Sequence, residues 1–176
     1  MAGGKSSRMG QDKVFLRFGE ETFLEYLYRN AQLVFDNIYI STDTKEHAEQ
    51  IKALPAFQNI SDEKIILDAY PRCGPIGGIC SVFDLSGMDK FAVVPTDVPC
   101  ANMGVLAALL MLCHEKPCIF RRDNGYIEPL IGAYDKSCYH NFKGCLEKGK
   151  FSIHKALESN GFKTFSAKEL IGIEPS

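Results

Sequence analysis

The chain has 176 residues, with 20 Lys and Arg against 22 Asp and Glu, a formal net charge of -2 and a hydrophobic fraction of 45%. That size and composition fit one globular domain, and the charge balance argues against a nucleic-acid binder, which needs a basic face. No apolar run approaches the ~18 residues of a membrane helix, no charged-then-apolar signal peptide is seen, and the seven Cys are odd in number with no CxxC pair, so a cytoplasmic protein with reduced thiols and no membrane partner is expected.

The opening stretch is MAGGKSSRMGQDK. Gly3 and Gly4 let backbone N–H groups approach a ligand without Cβ clashes, and successive N–H groups of that kind form an anion nest. Lys5, Arg8 and Lys13 add mobile positive charge. The segment is neither a GxxxxGKS/T loop nor GxGxxG. It reads equally well as a phosphate cradle and as a solvated basic tail.

ETFLEYLYRNAQLVF then places Phe23, Leu24, Leu27, Ala31, Val34 and Phe35 at helical spacing. NIYIS (37–41) predicts a strand. KEHAEQIKAL (45–54) predicts a surface helix that stops before Pro55. KIIL (64–67) is a short buried strand, and DAYPRCGPIGG (68–78) is a Pro/Gly loop out of which IGGICSVFDL (76–85) winds as a helix. FAVVP (91–95) is continuously apolar, as a strand covered on both faces should be. Asn102 caps the helix VLAALLMLCHE. PCIFRR and IEPLIGAY (127–134) are strands, with Pro129 marking an edge or a bulge. Helices near 136–147 and 152–159, a short FKTF strand and an AKEL turn complete the chain.

Strands alternating with helices imply an α/β fold, a mostly parallel sheet with helices on both faces, in a single domain over 1–176. Ligands of such sheets bind beyond the carboxyl ends of the strands. The glycine loop, Ser41-Thr42-Asp43, Asp68 and Asp97 stand at those ends. Asp97, in VVPTDVPC between Pro95 and Pro99, either binds Mg²⁺, which takes few protein ligands, or closes an Asx-turn on its own backbone. Asp68 either accepts from a base edge or is a turn carboxylate. Ser41 and Thr42 are base or ribose contacts, or a polar strand end. GPIGG either presses its backbone against a flat base or is a tight turn into a helix. Glu128 either orients a second substrate or is a lone edge-strand charge. The four His show no metal spacing, and no Ser-His-Asp or Cys-His order stands out.

Taken together and in order, these segments resemble the molybdenum cofactor guanylyltransferases and their nearest nucleotidyltransferase relatives. AGGKSSRMGQDK resembles that family's LAGGxSxRMGxDK loop, GPIGGI its GPxxGI segment, VVPTDVPC its CDxP turn, IEPLIGAY its xxPLxALY strand, and KGKFSIHKAL its GxRSxxxLL helix start. The resemblance implies a Rossmann-like nucleotidyltransferase that transfers GMP from GTP to molybdopterin cofactor with Mg²⁺, giving the guanine dinucleotide form and pyrophosphate. It implies that Met1, Ala2 and Gly3 touch the nucleotide and that Lys13 binds its phosphates. Ser41 would make a base-side contact where the family often has Asn, Asp68 would meet the guanine-ribose side, and Asp97 would hold Mg²⁺ and the nucleotide. Lys13 and Asp97 would thus be the catalytic pair. A cofactor-delivery or acceptor molybdoenzyme partner, and a monomer or weak oligomer, follow by family. Two departures accompany the match. The family's hydrophobic strand before the AGG loop has no counterpart here, Met1 standing where Leu would, so the first strand is expected to be missing. The Asn-rich NxNTP segment near the far end is missing too.

Two other readings compete. One is a cytidylyltransferase, or another transferase, on the same fold. The other is a non-catalytic nucleotide-binding protein.

Overall fold

A computed structural model of the chain describes residues 13–171 and 173. Met1, Ala2 and Gly3 lie outside the described residues, and Lys13 is described by its backbone alone.

The first elements are a short antiparallel pair, β1 (Arg17–Phe18) and β2 (Glu21–Thr22), turned by Gly19 at a φ of 67°. Helix α1 (Phe23–Gln32) follows at once. Its start is fixed by a reciprocal cap: the Thr22 hydroxyl accepts from Glu25 N, and the Glu25 carboxylate accepts from Thr22 N at 2.9 Å. β3 (Ile40–Thr42), α2 (Lys45–Lys52) and β4 (Ile65–Leu67) then form one strand–helix–strand unit, with β3 and β4 parallel and in register. α3 (Gly74–Ser86) ends at Gly87, whose φ of 69° is the left-handed stop a helix needs. β5 (Lys90–Val93), α4 (Met103–Leu112) capped by Asn102, β6 (Cys118–Arg121) and β7 (Ile127–Asp135) make the centre of the molecule. α5 (Tyr139–Glu147), α6 (Ile153–Asn160), β8 (Lys163–Phe165) and α7 (Ala167–Leu170) complete it.

The expected α/β fold is present, and its strand pairing is mixed. The larger sheet runs β5-β7-β6-β8, while β3 and β4 form a parallel pair. β6 and β8 are parallel, but β7 is antiparallel to both β5 and β6. The cause is local: β6 and β7 are joined by a tight turn, closed by Gly125 N donating to Arg122 O, and a connection that short can only reverse the chain. β7 is therefore an interior strand, and Pro129 does not mark an edge. It sits where the register shifts between Ile119 and Phe120, the bulge that lets an interior strand tolerate a residue with no N–H. The Tyr134 hydroxyl, fully buried, donates to Pro129 O at 2.6 Å and closes the bulge.

Apolar residues fill both faces. Ile66, Ile79, Phe91, Val93, Tyr134 and Phe142 pack under α3, α5 and α6. Leu27, Met103 and Leu106 with Ala92 pack under α1 and α4, and Leu109, Cys118, Ala133 and Leu170 continue that layer. Among the described residues no helix is long and apolar enough to cross a membrane.

Candidate nucleotide site at the strand ends

In-register pairing of β3 and β4 sets Thr42 level with Leu67, so the residues just past each strand come together. The Asp68 amide donates to Thr42 O at 2.8 Å and extends the ladder by one step. Asp68 is thereby held rigidly at the carboxyl end of its strand, beside Asp43. Its Oδ1 accepts from Tyr70 N at 2.7 Å and from the Ser81 hydroxyl at 2.8 Å. The turn-carboxylate reading of Asp68 is thus realised through Oδ1. Among the described residues Oδ2 takes no hydrogen bond, which leaves one carboxylate oxygen for a ligand. Burial raises the pKa of Asp68 above its ordinary value, the two donors pull it down, and the neighbouring Asp43 carboxylate pushes it up again; the net direction is upward.

Ser41 lies inside β3 and is buried, as is Thr42. The Thr42 hydroxyl is 2.9 Å from His47 Nδ1, and the same nitrogen is 3.5 Å from Asp43 Oδ1. Histidine, threonine and aspartate thus form a small polar knot at the end of β3. Neither metal spacing nor a catalytic order pointed to His47. The available signal was its place four residues after Asp43, across the Thr44 cap of α2, whose hydroxyl accepts from His47 N at 3.1 Å.

Asp97 lies in the turn after β5 and is exposed; Val98 N closes that turn on Pro95 O at 3.3 Å. It sits on a segment bracketed by Pro95 and Pro99, whose fixed φ angles restrain the turn. Among the described residues no group of three or more His, Cys, Asp or Glu side chains is gathered as a metal cage.

GPIGG is helical: α3 begins at Gly74, so the segment is the turn into a helix. Gly77 serves a close approach, because a Cβ there would lie 2.8 Å from Tyr70 O. The loop from Asp68 to Cys73 can therefore lie flat on α3. Arg72, at a φ of 66°, gives it the reversal into the helix. A second set of contacts ties the loop to α3 and α5 through Tyr70. The Tyr70 and Tyr139 hydroxyls donate to Asp84, and the Lys143 ammonium donates to Tyr70 while lying 3.4 Å from Asp84 Oδ2 and 4.2 Å from the Tyr70 ring centre. Burial would raise the Asp84 pKa, but the two phenols and the ammonium outweigh it and hold it low. Ser81, Asp84 and Lys143 were not singled out in the sequence, because their partners lie on other elements.

Glu128 is neither lone nor on an edge. It is ion-paired to Arg122 across the β6–β7 turn, and Arg122 lies over the exposed Tyr126 ring.

Comparison with known proteins gives a consistent result. Residues 1–161 match the family described as the MobA-like NTP transferase domain. A protein of Clostridium perfringens named "Probable molybdenum cofactor guanylyltransferase" is 30% identical over 169 residues, covering 96% of this chain and 77% of that one. A Bacillus mycoides protein of the same name is 26% identical over 173 residues, covering 97% and 83%. Among solved structures, molybdopterin-guanine dinucleotide biosynthesis protein A from Archaeoglobus fulgidus superposes with a TM-score of 0.78 at 20% identity, over 96% of this chain and 82% of that one. That likeness shows the fold.

Proposed function

The chain belongs to the MobA-like NTP transferase domain family, and from that premise we propose that this nucleotidyltransferase moves GMP from GTP to the terminal phosphate of molybdopterin cofactor and releases pyrophosphate. One observation supports the reading most directly. The level ends of β3 and β4 hold Asp68, with an oxygen to spare, at the edge where an α/β sheet takes its ligand.

The roles follow from position and residue type. The loop of Met1, Ala2 and Gly3, with Lys13, cradles the triphosphate. Ser41 and Asp68 serve the base and ribose side, Asp68 accepting through Oδ2 while its Oδ1 stays tied to Tyr70 and Ser81. Asp97 and Lys13 flank the reacting phosphates. A phosphate oxygen of the acceptor forms a bond to the α-phosphorus of GTP, and the α–β bridge breaks with its electron pair leaving on pyrophosphate. No protein nucleophile is required. The chain's task is to hold the two substrates in line and to neutralise charge. Mg²⁺, when bound, neutralises phosphate oxygens. The residues fit it, since Asp97 offers an exposed carboxylate on a fixed turn, and Mg²⁺ is held by one or two carboxylates with waters and substrate phosphates. A cytoplasmic setting and a molybdoenzyme partner belong to the same proposal.

Asp97→Ala tests it. The expected outcome is a fall in turnover of about 10²–10³. Near-normal turnover overturns the role of Asp97. Calorimetric titration with GTP and with CTP, each with Mg²⁺, checks the base: tight binding of CTP alone overturns the guanylyl reading.

A further inference from the structure

Four polar side chains from three segments meet beside the loop that carries Asp68. Tyr70 comes from the loop, Asp84 from α3, and Tyr139 and Lys143 from α5, where they stand one turn apart and face the same way. The Tyr139 hydroxyl donates to Asp84 Oδ1, the Tyr70 hydroxyl to Oδ2, and the Lys143 ammonium to the Tyr70 oxygen. The ammonium also lies 3.4 Å from Asp84 Oδ2 and 4.2 Å from the centre of the Tyr70 ring. Both Asp84 oxygens and both roles of the Tyr70 hydroxyl are therefore in use.

Stability does not account for this set. The Lys143 and Asp84 side chains are 31% and 26% exposed, so water screens the pair, and apolar side chains of similar size would cover α3 as well. What the hydrogen bonds add is direction. An apolar contact lets a ring slide, whereas polar groups that satisfy one another hold the Tyr70 ring in one position. Tyr70 in turn touches Asp68. Its amide donates to Asp68 Oδ1 at 2.7 Å, beside the Ser81 hydroxyl at 2.8 Å. Ser81 is fixed on α3, buried and bonded to Gly77 O at 2.8 Å. Tyr70 N belongs to the loop, and the Tyr70 side chain ties it to α3 and α5. With Oδ1 held at two points, Oδ2 has one direction.

We propose that Lys143, with Asp84 and Tyr139, positions Asp68 for its ligand: the cluster fixes Tyr70, Tyr70 N fixes Oδ1, and Oδ2 is left pointing at the base and ribose side of the nucleotide. These three are positioning residues that act through Tyr70 and make no contact with the nucleotide themselves. The inference deepens the proposed GTP site and rests on it, while its mechanical step, the hold of Lys143 on the Tyr70 segment, stands without any nucleotide.

Lys143→Met and Tyr70→Phe test it with two readouts. Without nucleotide, hydrogen exchange at the Tyr70 amide should quicken by about tenfold in each variant, while the Asp68 amide, bonded to Thr42 O, keeps the parent's rate. An unchanged Tyr70 amide overturns the proposal, and so does equal quickening at both amides, which marks a general loosening. With GTP and Mg²⁺, calorimetry should show a Kd about tenfold above the parent's for each variant. The Lys143→Met change made in Asp68→Asn should cost less than about twofold further, because the lysine acts through the carboxylate. GTP affinity equal to the parent's, or a loss that persists in full in the Asp68→Asn background, overturns the proposal. A parent that binds no GTP overturns the proposed function instead, and the exchange rates then decide by themselves whether Lys143 holds the Tyr70 segment.

Discussion

Asp68 does two jobs with two oxygens. Oδ1 fixes the turn through Tyr70 N and the Ser81 hydroxyl, and Oδ2 is left for a ligand. An amide can replace the first job, since Asn keeps an accepting oxygen. It cannot replace the charge. Asp68→Asn is therefore expected to fold within about 1 kcal/mol of the parent at pH 7 but to lose GTP affinity by about tenfold or more, as unfolding in urea and calorimetry would show. The pH dependence has a definite sign. The folded carboxyl has a raised pKa, so its ionised form costs folding free energy, and that cost fades as pH falls through the folded pKa. Any stability advantage of Asp68→Asn should accordingly be present near neutral pH and vanish in acid. In the sequence Asp68 was visible as a strand-end carboxylate. Ser81, thirteen positions away on a helix face, was not. Contacts that join two elements leave no local pattern, and the Asp84–Tyr139–Lys143 clamp was hidden for the same reason.

Elements were more legible than their partners. The caps explain why: Asn102 accepts from Gly104 N at 2.9 Å, and Ser152 and Thr44 do the same office for α6 and α2. A cap is written within three or four residues, so reading a helix start needs no knowledge of the fold. GPIGG shows the limit of such reading. Its glycines were equally suited to a base platform, and only packing shows that Gly77 makes room for Tyr70 O. Gly77→Ala must push that carbonyl away or bend α3. The expected cost is about 1–3 kcal/mol, accompanied by weaker GTP binding, because the displaced loop carries Asp68. Urea unfolding together with GTP titration checks both; loss of stability with intact binding would separate the loop from the site.

At the scale of the whole molecule, the alternation of strands and helices gave the α/β class, while the strand directions were not fixed by it. Continuous apolar runs such as FAVVP report burial on both faces and are silent about which neighbour lies alongside or which way it runs. The reversal at β7 comes from the length of one turn. It also sets a timetable for assembly. β6 and β7 meet through a tight turn, whereas β5 reaches β7 only after the whole of α4 and β6 has intervened. Closing the short loop costs less entropy and happens sooner. The β6–β7 hairpin, pinned by Tyr134 on Pro129 O, is thus expected to be the platform on which β5 and then the α2–β4 half are laid down. Phe120→Ala in the hairpin should slow refolding, and Ile66→Ala in β4 should mainly hasten unfolding; stopped-flow chevrons for the two variants read this directly. A chain whose hub forms early and whose nucleotide half docks late would keep that half the softer of the two, the part free to adjust when a substrate arrives.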